Sequence, residues 1–185
     1  MAKAGDTLEH PVTGERIIFR KTAKETGGEL MQGDVIMRPH GFVAAAHVHP
    51  MQEERFEVLS GSVKFRVNGA EQELQTGETA VVPPRTPHVW WNDDDEEAHV
   101  LVDVRPALRF EEFFETFFGL AQDGKVNQKT GLPNPLVLAL VMREYRKEIQ
   151  LAKPPLVVQQ VLFSGLALIG RLLGYKGRYP YPHPR

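Results

Sequence analysis

Cysteine is absent from the sequence, so disulfides and thiolate metal ligands are excluded, while the compartment stays open. A basic excess is missing too. Lys and Arg number 22 against 24 Asp and Glu, for a net charge of -2, and no basic stripe interrupts the mixture, which argues against nucleic acid as the main partner. No internal repeat is found. No apolar segment reaches the roughly 20 residues of a bilayer span; the longest charge-free run, 154–170, is shorter and contains Gln159 and Gln160. The first eleven residues carry charges and, at Pro11, a proline but no apolar core, so no secretory signal is expected and cytoplasmic residence is the default. The hydrophobic share of 42% and charged share of 25% are those of an ordinary globular protein.

Between Arg16 and Arg105, short β-rich runs are broken by turn residues at frequent intervals, the pattern of an antiparallel sandwich or barrel. Expected strands are 16–21, 30–38, 43–49, 55–60, 62–67, 70–74, 79–82, 88–92 and 99–105. Asn68-Gly69 marks a two-residue hairpin, because both positions tolerate positive φ. Pro83, Pro84 and Pro87 impose a rigid bend before His88, and the acidic run 93–97 reads as a solvated loop.

After Pro106 the period becomes helical. Phe110, Phe113, Phe114, Phe117 and Phe118 form one stripe that is expected to pack on the barrel, with Glu111, Glu112 and Glu115 on the opposite side. Asn134-Pro135 is an N-cap and N1 pair opening a second helix expected to reach Leu151. A third helix, about 156–173, is apolar nearly all round; burial against the other helices or a dimer partner is the preferred reading, with interfacial membrane attachment next. Ser164, Gly165, Ala167 and Gly170 permit close helix approach. The tail 179–185 is expected to be extended. The organisation expected is therefore an N-terminal arm (1–15), a β-barrel (16–106), a helical extension (107–175) and a Pro-rich tail (176–185).

The chemistry-bearing stretch lies at 41–61. On a strand, His47 and His49 leave the same face about 7 Å apart, and with Glu54 and His88 they supply four donors able to meet on one divalent ion. Imidazole plus carboxylate suits Fe, Mn, Ni, Co, Cu or Zn.

The spacing of Gly41, His47, His49, Glu54 and Gly61, followed by Gly77, Pro83, His88 and Asn92, resembles the two motifs of the cupin superfamily. Arg85 stands where the second motif has a further glycine. The resemblance implies a mainly β fold, a cupin-type double-stranded β-helix or jelly-roll barrel, followed here by C-terminal α-helices. It also implies that His47, His49, Glu54 and His88 hold one divalent transition metal. Any one of these histidines alone would be read as structural; three at this spacing beside a carboxylate reverse that reading. Glu53 is the alternative to Glu54, but Glu54 has the spacing to Gly61 and shares its face with Phe56 and Val58. His10, His40, His99 and His183 lack such company, although His99 could line the pocket. Trp90 reads equally as pocket wall or barrel core. Arg38, Arg66 and Arg85 could fix an anionic substrate, yet exposed arginines are commoner.

The reaction is less defined, because one fold carries many chemistries. The leading expectation is a metal-dependent dioxygenase acting on a small oxygen-chelating organic molecule such as a β-diketone, enol, phenol or hydroxy acid, with Glu54 as ligand or base. The alternatives are non-redox isomerisation or decarboxylation, and a non-catalytic ligand-binding or sensor protein. A homodimer is expected, with membrane association the lesser alternative.

Overall fold

A computed structural model describes residues 2–179; the tail expectation, beyond Tyr179, lies outside them. Ten strands precede the helices: β1 Thr7–His10, β2 Glu15–Lys21, β3 Met31–Met37, β4 His47–Val48, β5 Glu53–Ser60, β6 Ser62–Val67, β7 Ala70–Gln75, β8 Thr79–Val82, β9 His88–Trp91 and β10 Ala98–Arg105. Then come α1 Phe110–Gln122, α2 Pro135–Glu144, a short strand β11 Gln150–Leu151 and α3 Leu156–Leu172.

The strands form two antiparallel sheets, ordered β1-β2-β3-β10-β5-β8 and β11-β4-β9-β6-β7. Period-two patterning explains which side faces inward: along β5, Glu54, Phe56 and Val58 are buried while their neighbours are more open. Phe56, Phe65 and Trp90 interlock between the sheets, Phe65 and Trp90 stacked with centroids 5.8 Å apart. Trp90 is thus barrel core, and it also lines the central cavity. Asn68 and Gly69 adopt φ 51° and 85° and join β6 to β7, as the hairpin signal requires. The three prolines occupy the irregular bend between β8 and β9, and the acidic run 93–97 forms an exposed connection.

Four expectations need correction. The N-terminal arm contains a strand, β1, paired antiparallel with β2. The strand expected over 43–49 is regular only at 47–48; Val43 still bonds to Trp90, but Ala44 and Ala45 swing out to line a cavity. Helix α2 opens as expected, Asn134 capping the Leu136 and Val137 amides, but it stops at Glu144 instead of Leu151. The chain then turns, and Gln150 and Leu151 pair with Val48 and His47 of β4. A sheet edge with unmade hydrogen bonds outweighs continued helical periodicity here.

The fourth correction concerns α1. Its phenylalanine stripe packs inward as expected, but Glu111 and Glu115 are buried rather than solvated. The Ala23 amide donates to Glu111, so that side of the helix faces the 22–30 loop. Helix α3 rests on α2, burying Phe163, Ala167 and Gly170, while its buried Gln159 donates to the Leu151 and Pro154 carbonyls. Gly170 permits the approach, since a Cβ there would stand 2.9 Å from Leu140 Cδ1; Gly165 faces open space. Most of the remaining α3 surface is exposed.

Candidate metal centre

His47, His49, Glu54 and His88 are all buried, and one donor atom from each lies within 4.8 Å of the others. Register explains the convergence. His47 on β4 is paired directly with His88 on β9, His49 follows β4, and Glu54 enters from β5 in the opposite sheet. The site therefore bridges the two layers. Glu53, on the other face of β5, is exposed.

Each imidazole is aimed by its outer nitrogen. Nδ1 of His47 donates to the Ala45 carbonyl at 2.9 Å, Nδ1 of His49 to that of Glu148 at 2.7 Å, and Nδ1 of His88 to that of Thr86 at 3.0 Å. With Nδ1 engaged as donor, the lone pair sits on Nε2, pointing at the common centre. His49 Nε2 is 3.2 Å from Glu54 Oε2, yet it lacks hydrogen-bond geometry and is a buried, unsatisfied polar atom. His88 Nε2 lies 3.0 Å from the same oxygen. Two acceptors so close need a proton or a cation between them. These observations fit a divalent ion: three oriented Nε2 atoms and a carboxylate, with one nitrogen lacking any other partner.

The electrostatics agree. Burial alone would raise the Glu54 carboxyl, but the nearby His49 and His88 rings, the latter also hydrogen-bonded to it, outweigh burial and hold the group ionised well below the usual carboxylate range. Burial, assisted by repulsion from His88 and His49, pushes His47 far down, keeping it neutral and able to coordinate. Burial would also lower His88, but its bond to Glu54 turns the balance upward.

A cavity of about 80 Å³ opens beside His47 and Glu54. Its walls are Val35, Val43, Trp90 and Val102 of the barrel region, and its lid is the α1 stripe with Leu138, Met142 and Leu151. Phe110 stands edge-on to His49 with ring centroids 5.0 Å apart. Among the described residues, no Lys or Arg lines the cavity.

Residues 33–104 match the family model described as Cupin domain. This part of the chain is a cupin domain. Solved structures to which part of the chain is similar include a sugar phosphate isomerase of the cupin superfamily from Silicibacter pomeroyi, at 21% identity over 51% of this chain and 60% of that one, TM-score 0.45. KdgF from Halomonas sp. is 18% identical over 50% and 79% of the two chains, TM-score 0.45. An RmlC-like cupin from Shewanella frigidimarina is 17% identical over 60% and 93%, TM-score 0.49. No curated protein matches the sequence.

Other singled-out residues lie elsewhere. His99 pairs with Asp34 at 2.6 Å and does not line the cupin cavity, correcting that expectation. His10 is buried against α1, its Nε2 donating to the Gly131 carbonyl and its Nδ1 accepting from the Thr13 amide. His40 is exposed, 3.2 Å from Asp95, and His183 lies outside the described residues. Arg38 donates to the Pro11 carbonyl, Arg66 pairs with Glu71 across the β6–β7 hairpin, and the exposed Arg85 sits in the bend after β8; none reaches the cavity.

Sequence reasoning missed two contributors. The helical extension, read from the sequence only as packing on the barrel, supplies the Glu148 carbonyl behind His49 and the aromatic lid. Glu15 was read as part of the arm but is buried and lines the cavity, accepting from Thr13 Oγ1 at 2.8 Å. Burial lifts its carboxyl to about 7, against the Thr13 bond and with help from the Glu54 charge. One signal was available: Glu15 shares strand parity with the inward Ile17 and Phe19.

Proposed function

We propose that this chain is a metal-dependent cupin enzyme of the dioxygenase type, acting on a small, uncharged, largely apolar molecule that binds through oxygen atoms. One observation carries the reading: three imidazoles pinned through Nδ1 and one ionised carboxylate converge at the end of an apolar cavity free of cationic side chains. His47, His49, Glu54 and His88 would hold a divalent transition ion. Once bound, such an ion supplies a Lewis acid for chelating oxygens and, if redox-active, a partner for dioxygen.

The chain's own groups do the rest. The α1 phenylalanines cover the site and exclude water, strengthening each polar contact inside. An enol or phenol finds apolar walls for its body, whereas an anionic group finds no counter-charge. Glu15, poised near neutrality, can hold or release a proton on its carboxylate oxygens. That observation favours one second reading, a non-redox isomerisation or decarboxylation in which Glu15 moves the proton.

The test starts with elemental analysis of protein purified without added metal, followed by reloading of stripped protein with Fe(II), Mn(II) or Zn(II). Exposure to phenols, enols and β-diketones in an oxygen electrode should show one ion per chain and oxygen uptake only with a redox-active ion. Turnover under argon with Zn(II) would support the second reading. Failure of stripped protein to take up any of these ions would overturn both.

A further inference from the structure

We propose that the outward face of α3 docks on an anionic lipid surface, the helix lying in the plane of the membrane interface. The four buried residues of α3, Gln159, Phe163, Ala167 and Gly170, recur at helical spacing on its inward side, where the helix meets α2. Opposite them, Val157 is 71% exposed, Val161 73%, Leu168 61% and Leu172 80%, with Val158, Leu162 and Ile169 beside them at about half. No charged residue falls between Lys153 and Arg171. A contiguous apolar stripe of this kind marks an interaction surface.

The length of the helix and the charges around it select the occupant. At 1.5 Å per residue, the helix is about 26 Å long, less than a roughly 30 Å hydrocarbon core. No helix among the described residues is long and apolar enough to cross a membrane. The helix can therefore lie on a bilayer with its apolar side immersed.

Around it the charge is one-sided. Residues 143–178 contain seven Lys and Arg but only two acids, Glu144 and Glu148, whereas the whole chain is net negative. Both acids are engaged by Arg109, at 2.8 and 3.4 Å. Arg146, Lys147, Lys153, Arg171 and Lys176 make no ion pair among the described residues. Arg143 reaches the flank of α3 by donating to Ser164, and Arg143 and Arg146 line the groove beside the helix. Tyr175, just beyond α3, is exposed where an amphipathic ring suits the headgroup layer. A second copy seated on this face would bring the same cationic rim against itself. An anionic leaflet complements it.

The test uses the full chain with vesicles of phosphatidylcholine alone, or of phosphatidylcholine and phosphatidylglycerol at three to one, with sedimentation velocity on the protein alone. Binding to the anionic vesicles should be roughly tenfold tighter or more than to the neutral ones, and should weaken with salt. V161E/L168E should abolish binding while circular dichroism and metal content stay unchanged, since both side chains already face solvent. R146E/K147E should remove the preference for anionic lipid. Absence of vesicle binding overturns the proposal, as does equal affinity for both compositions. A dimer that V161E/L168E dissociates, without vesicle binding, would assign the face to a second copy and overturn it equally.

Discussion

His49 shows how much rests on one hydrogen bond outside the motifs. Its ring is held by the Glu148 carbonyl, its edge faces Phe110, and its Nε2 is left without a partner except whatever occupies the centre. Replacing His47, His49 or His88 by Ala should reduce metal content from one ion per chain by tenfold or more, with the barrel still folded by circular dichroism; unchanged occupancy would contradict this ligand set. Asn92 works differently. Its amide donates to the Met37, Arg38 and Glu96 carbonyls and its oxygen accepts from Asp94, so this motif residue clamps a turn. Arg85 occupies the place of a motif glycine and adopts φ 68°, the left-handed backbone glycine takes without strain. Its side chain is exposed, so R85G should raise stability by about 1 kcal/mol in denaturant titration with no change in metal content.

At the scale of elements, the two-residue β11 has influence beyond its size. It ties the helical extension to the strand bearing His47, and the turn before it carries Glu148. Leu151 also lines the cavity. Leu151→Pro, which strains this pairing without touching a donor, should weaken metal affinity by roughly tenfold, within the range for lost outer-shell support. Affinity equal to wild type by competition with a chelator would show that the barrel alone orients the ligands. Helix α1 unites packing and function in one stripe, because the same phenylalanines fill the core and roof the cavity.

For the whole molecule, pH reads out the balance between two buried groups of opposite effect. His10 is pushed down to about 4 by burial, against its bond to the Gly131 carbonyl and with a further push from Arg38. Its neutral form contributes stability that is complete above the ordinary histidine value of 6.5 and lost as pH falls from there towards 4. Glu15 runs the other way. Its folded value of about 7 exceeds the ordinary 4.5, so the folded state holds the extra proton between them, and stability is greatest below 4.5 and lost as pH rises through 7. In metal-free protein, wild type should therefore gain on E15Q as pH falls from 7 to 4.5, by on the order of 3 kcal/mol in denaturant midpoints. Parallel stability curves would show that Glu15 does not hold a proton in the folded chain.

Period-two alternation, turn chemistry and motif spacing were enough by themselves to specify the antiparallel barrel, the hairpin at Asn68-Gly69, the opening of α2 and the four donors to examine, because each depends on residues a few positions apart. Docking decided what lies between distant segments. Leu151 left the helical pattern because β4 offered an open edge, Glu15 entered the cavity because β1 and β2 joined the sheet, and the Glu148 carbonyl reached His49 only after α2 ended early. Apolar composition announced α3, but whether its faces would be covered depended on the neighbours available. Helix α2 covers one side and leaves the other open.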